Sequence, residues 1–145
     1  AEAGEWGPDW EGHNNGCGDL HMTARDMARF GLLYLNDGEF AGRQIVPADW
    51  VHDSLKTYSE GAWDNIGRFR DIGYGYHWWS ATAGEHQVNF AWGHGGQLIV
   101  LVHDLDMVVV ATSDPFWLEH TSESWKHEKA HISLVADFVS SLPNG

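Results

Sequence analysis

The sequence predicts an α+β fold, an antiparallel sheet of about four strands packed against a C-terminal helix and preceded by two helices. Three observations predict it. Apolar residues recur at helical spacing after residue 23 and again at the end of the chain. Between these stretches they alternate at every second position. Two continuous apolar runs, Leu98 to Val102 and Met107 to Ala111, then flank the short polar stretch His103-Asp104-Leu105-Asp106. Strands that follow one another closely and end in a helix suit an antiparallel sheet covered by that helix.

Residues 1–19 are rich in Gly, Trp and Asn without periodicity, and read as loop. Thr23-Ala24-Arg25-Asp26 resembles a capping box, and Met27, Phe30, Gly31, Tyr34 and Leu35 supply the apolar face of the first helix. Asn36-Asp37-Gly38 stops it, since glycine accepts the left-handed conformation after a helix. Pro47 opens a second, shorter helix with Trp50, Val51 and Leu55 on one side. Residues 59–72 look irregular. Tyr74, Tyr76 and Trp78 then alternate with Gly75, His77 and Trp79, and Val88, Phe90 and Trp92 alternate next, as in half-buried strands. The two apolar runs make a hairpin covered on both faces. His131, Leu134, Val135, Phe138, Val139 and Leu142 place the last helix. The expected parts are a helical region at 1–58, strands at 73–113 and the C-terminal helix at 120–142.

The 145 residues carry 21 acidic and 8 basic side chains, a net charge of −13. Nucleic acid and anionic membranes are therefore unexpected partners, because phosphate binding needs clustered Lys and Arg. No apolar run approaches the about 20 residues that span a bilayer. The first nine residues show neither a basic nor an apolar signal-peptide region. A single cysteine, Cys17, excludes an internal disulfide and reads as structural or incidental. Nine tryptophans and seventeen glycines are many for this length. The indoles either fill the core or line a pocket or interface.

Three ordered stretches carry a family resemblance. The first is Gly18-Asp19-Leu20-His21-Met22-Thr23-Ala24-Arg25-Asp26-Met27-Ala28-Arg29-Phe30-Gly31 with Leu33-Tyr34-Leu35-Asn36-Asp37-Gly38. The second is Gly42-Arg43-Gln44-Ile45-Val46-Pro47 with Trp50-Val51. The third joins Gly73-Tyr74-Gly75-Tyr76-His77-Trp78-Trp79, Gly93-His94-Gly95-Gly96-Gln97 and Val108-Val109-Val110-Ala111-Thr112-Ser113-Asp114. Together they resemble the C-terminal portion of the class C β-lactamase-like serine hydrolases, a superfamily of penicillin-binding proteins, esterases and 6-aminohexanoate-dimer hydrolase-like amidases. The resemblance implies a single partial domain over 1–145, within a β-lactamase/transpeptidase-like fold. It also implies a small-molecule amide, ester or lactam substrate cleaved through an acyl-enzyme, no cofactor, and a periplasmic or secreted setting.

The family uses Ser-x-x-Lys as nucleophile and base, Tyr-x-Asn for proton transfer, and a strand triplet whose following N–H completes the oxyanion hole. Ser-x-x-Lys is absent from this chain; Ser54-Leu55-Lys56 has the wrong spacing. Tyr34-Leu35-Asn36 spells the second motif but falls at a helix end, where a structural role is expected. The third motif is degenerate. Either Ala91-Trp92-Gly93 is the triplet and His94 N–H the donor, or His94-Gly95-Gly96 is the triplet and Gln97 N–H the donor. Both registers put His94 at the site, with Trp92, Gly93, Gly95, Gly96 and Gln97 against the substrate. A Gly-rich turn with no ligand role is the plain alternative.

His127-Glu128-Lys129-Ala130-His131 matches His-Glu-x-x-His, which on a helix aligns two imidazoles and a general base for zinc. Against it, His131 continues the apolar stripe, and His120 could add a third ligand only by folding back. His13, His21, His52, His77, His86 and His103 have no ligand-like spacing. Two further expectations complete the reading: a non-catalytic binding module that keeps the fold, as the alternative to a hydrolase, and an exposed apolar sheet surface able to form a homodimer.

Overall fold

The computed structural model describes residues 4–16, 18–117, 121 and 123–144, so Cys17 and His120 lie outside the described residues. The elements run α1 (Ala24–Leu35), β1 (Glu39–Phe40), β2 (Arg43–Gln44), α2 (Ala48–Leu55), β3 (Phe69–Tyr74), β4 (Trp79–Ala83), β5 (His86–Gly93), β6 (Gln97–Val102), β7 (Met107–Ala111) and α3 (Ser124–Ser140). Among the described residues the fold is α+β: three α-helices, a small β1–β2 ribbon, and one five-stranded antiparallel sheet ordered β3-β4-β5-β6-β7. No helix is long and apolar enough to cross a membrane, among the described residues.

Local chemistry sets the helix ends. The Thr23 hydroxyl accepts the Asp26 N–H at 3.2 Å and donates to the Asp26 carboxylate at 2.9 Å, so one orphan donor of α1 is satisfied. The Asp26 carboxyl is held below its ordinary range, chiefly by the Arg29 guanidinium bonded to it at 2.6 Å. Gly38, at φ +84°, ends the helix by donating its N–H to Leu33 O at 2.7 Å. Within α1, Gly31 permits contact with the sheet: a methyl there would lie 2.6 Å from Val108 Cγ1.

Both faces of the sheet are covered, as the continuous apolar runs predict. Leu98, Val100 and Val102 of β6 point to one side with Phe69, Val88 and Phe90, against Ile132, Val135, Ala136 and Val139 of α3. Ile99 and Leu101 point to the other side, with Trp78, against Met27, Tyr34 and Leu35 of α1 and Leu55 of α2. Full burial of a large apolar side chain contributes about 1.5–3 kcal/mol relative to exposure, so these two clusters fasten α3 to one face of the sheet and α1, which rests on β6 and β7, to the other.

The structure departs from the sequence reading in four places. The strand expected through Tyr76 and Trp78 is a turn: β3 closes at Tyr74, Gly75 N–H bonds Trp78 O at 2.7 Å, and His77 takes φ +63°. The alternation there is that of a tight connection, and β3 begins inside the stretch read as irregular. The sheet gains a strand because β4 was hidden in Trp79–Ala83. Trp50 is exposed and packs at a tilt on Tyr76, leaving Val51 to anchor α2. In α3 the buried face is Glu128, Ile132, Val135, Ala136 and Val139, whereas Leu134 and Phe138 are 67% and 50% exposed. The helical period was right and the face was off by about one position, because a buried glutamate belongs to it.

Candidate active site

The β5–β6 connection is a three-residue turn, His94-Gly95-Gly96, between the paired residues Gly93 and Gln97. It closes through Gly96 N–H to Gly93 O at 3.1 Å. Gly95 and Gly96 take φ +79° and +90°, a region where side chains are strained. Space forbids side chains there as well. A methyl on Gly95 would overlap the Pro115 backbone, and one on Gly96 would lie 2.9 Å from His131 Cδ2. The glycine pair thus sits between the segment after β7 and helix α3.

Polar bonds complete the clamp. The Gln97 amide donates to Ser113 O at 2.6 Å and accepts the Ser113 N–H at 3.3 Å, replacing a rung of β-ladder with a side chain. The Ser113 hydroxyl donates to Gly95 O. The Trp92 indole N–H, near the end of β5, donates to Glu128 Oε1 at 2.7 Å. Glu128 is only 9% exposed, so this bond to a carboxylate lies in a poorly solvated setting, where it is stronger than in water. His94 itself is exposed at the apex of a turn whose backbone is fixed on several sides.

Aromatic rings border the turn. Trp92 stacks on Trp125 with centroids 5.8 Å apart, and Trp63 meets Trp79, Trp92 and Trp125 edge-on at 6.1, 5.6 and 6.1 Å. Lys129 Nζ stands 5.7 Å above Trp125. This cluster resolves the alternatives for the tryptophans partly in both directions: Trp79 and Trp92 pack on the core, while Trp63 and Trp125 face solvent.

All the residues singled out from the third motif, Trp92, Gly93, His94, Gly95, Gly96 and Gln97, therefore lie together. The structure also brings Glu128 and His131 to the same place, in another role than the zinc motif implies. Glu128 is bonded to Trp92, His131 lies under Gly96, and the His127 ring packs at 6.2 Å from Trp117. Among the described residues, no group of three or more His, Cys, Asp and Glu side chains is arranged as a metal site. Tyr34 of the Tyr-x-Asn triplet packs on Trp78 at 4.7 Å, a structural position.

Sequence reasoning missed Ser113 and Pro115, which are brought to the turn by the β6–β7 hairpin and carry no local signal. It also missed His86. That ring is 1% exposed, with Nδ1 2.7 Å from Asp104 Oδ2 and Nε2 3.1 Å from Leu142 O. Two acceptors favour the imidazolium, so its pKa is raised, first by Asp104 and then by the Leu142 carbonyl. His103, which bonds Asn89 Oδ1 at 2.8 Å, is shifted the opposite way by burial.

Two known proteins resemble this chain. The chain is 30% identical over 129 residues to the 6-aminohexanoate-dimer hydrolase of Paenarthrobacter ureafaciens, covering 87% of this chain. Over that stretch it is similar to a 6-aminohexanoate-dimer hydrolase. The solved structure of a Bacillus anthracis protein assigned as a 6-aminohexanoate-dimer hydrolase matches 96% of the chain with a TM-score of 0.61 and 29% identity. No family model matches the chain. The chain spans about a third of these relatives, 32% of the first and 34% of the second.

Proposed function

We propose that this chain is part of a serine hydrolase that cleaves amide, ester or lactam bonds through an acyl-enzyme, with its β5–β6 turn forming the acyl-binding wall of the active site. The observation that carries the reading is the turn itself. Its two glycines let the backbone follow a path closed to other residues, the Pro115, Ser113, Gln97 and His131 contacts hold that backbone still, and the His94 and Gln97 N–H groups are the candidate donors. Donors fixed before the substrate arrives need no reorganisation as charge develops on a carbonyl oxygen. His94 at the apex is the side chain placed to face the substrate.

The names of the relatives make a linear amide of 6-aminohexanoate the first substrate to test. The 145 residues contain no Ser-x-x-Lys, so the nucleophile and its base come from sequence outside them. Alone, the chain should take up neither a fluorophosphonate nor a fluorescent penicillin. A polypeptide that joins these residues to an upstream Ser-x-x-Lys segment should release amine from the linear dimer, and His94→Ala should slow that release. Stoichiometric labelling of the isolated chain would overturn the assignment. A longer polypeptide that neither labels nor hydrolyses would favour a non-catalytic binding module with the same fold.

A further inference from the structure

His131 of α3 lies beside the turn with a ring nitrogen that no described contact uses. Its Nε2 atom is buried and has no hydrogen-bond partner, the only such side-chain atom among the described residues. Leaving a buried polar group unsatisfied costs about 1–3 kcal/mol. A phenylalanine would fill the same space under Gly96 without that cost, so packing alone does not explain an imidazole here.

Its position suggests what the nitrogen is for. The ring carbon next to Nε2, Cδ2, is the atom that a methyl on Gly96 would strike at 2.9 Å. Nε2 is therefore one bond from the ring atom that lies against Gly96. One helical turn earlier on α3, Glu128 already binds the strand end through Trp92. The helix thus places one satisfied polar group against the Trp92 side chain at the end of β5 and one unsatisfied polar atom beside the turn that follows.

We propose that His131 is a positioning residue of the acyl site, whose Nε2 gains its hydrogen-bond partner when a carbonyl- or carboxylate-bearing ligand engages the turn. The bond forms to the ligand oxygen or to one water that the ligand traps beside the His131 ring. This rests on the reading of the turn as an acyl-binding wall. The cost of the orphaned nitrogen in the free protein is then a stability–function trade, of the kind found where buried polar groups go unsatisfied at functional sites.

The test uses the 145-residue chain with ¹⁵N-labelled histidine and backbone. Hexanamide and hexanoate are titrated while the ring nitrogens and the amides of Gly93 to Gln97 are read by NMR. His131→Phe and His131→Gln assign the ring signal and separate packing from hydrogen bonding. Saturable shifts of His131 Nε2 and the Gly96 amide with one midpoint are expected. His131→Gln, which keeps a nitrogen near that place, should retain the Gly96 response. His131→Phe should lose it while melting no lower than wild type. A silent His131 ring beside responding turn amides would overturn the assignment of His131 alone, as would an undiminished Gly96 response in His131→Phe. No response anywhere in the turn would sink both this proposal and the acyl-wall reading. Should either variant fail to fold, the wild-type ring titration still decides.

Discussion

The Trp92–Glu128 bond is the most direct mechanical link between α3 and the candidate site, and a double-mutant cycle measures it. The perturbations are Trp92→Phe, Glu128→Ala and the pair. The bond is 2.7 Å long and ends on a carboxylate that is 9% exposed. Hydrogen bonds to charged groups contribute about 1.5–3 kcal/mol, so the coupling energy should be about 2 kcal/mol. Each single change should cost more than the coupling. Trp92→Phe leaves a buried carboxylate without its donor, and Glu128→Ala leaves an indole N–H without its acceptor. At about 2–4 °C per kcal/mol for a domain near this size, the coupling corresponds to roughly 4–8 °C in melting temperature. Urea titrations followed by far-ultraviolet circular dichroism give the four stabilities, and near-ultraviolet dichroism reports the Trp63–Trp79–Trp92–Trp125 cluster directly. A coupling below about 0.5 kcal/mol, the level at which independent sites add, would refute the claim that this bond ties the strand end to α3.

Three further outcomes follow from the same geometry. Gly96→Ala should destabilise the chain by more than the about 1–2 kcal/mol of a left-handed residue, and combining it with His131→Ala should recover the part due to the clash; urea titration measures both. Gln97→Ala removes both bonds to Ser113, so hydrogen exchange of the Gly95 and Gly96 amides should quicken while amides in the middle of β6 keep their protection. His86 makes stability depend on pH. Its folded pKa is raised by Asp104 and the Leu142 carbonyl, so its contribution is complete below the ordinary histidine value of about 6.5 and fades as pH rises through the higher folded value. Melting curves between about pH 6 and about pH 8.5 should show that loss in wild type and less of it in His86→Gln.

Much of this fold was legible because burial and period agree. Thr23, Gly38 and Pro47 mark helix ends through backbone chemistry that acts within a few residues, and the β6 and β7 runs announce a doubly covered hairpin. Legibility failed where tertiary contacts overrule a local pattern. Tyr76 and Trp78 alternate like strand residues, yet Gly75 and the left-handed His77 turn the chain there. Glu128, named in the sequence only within His-Glu-x-x-His, lies on the buried face of α3 bonded to Trp92, and that face excludes Leu134 and Phe138, which the apolar spacing predicts to be inside. At the site, the glycines and His94 were visible as a motif. Ser113, Pro115 and the burial of His131 were not, because they reach the turn from distant segments.

On the proposed reading labour is divided: these residues supply the acyl-facing turn, and a serine outside them supplies the nucleophile. The most direct test is peptide mapping by mass spectrometry after fluorophosphonate treatment. It is applied to the 145-residue chain and to a polypeptide joining it to a Ser-x-x-Lys segment. The account predicts no adduct on the chain alone and one adduct, on the serine of that segment, in the longer polypeptide. An adduct on a serine within the 145 residues, Ser113 beside the turn above all, would contradict it.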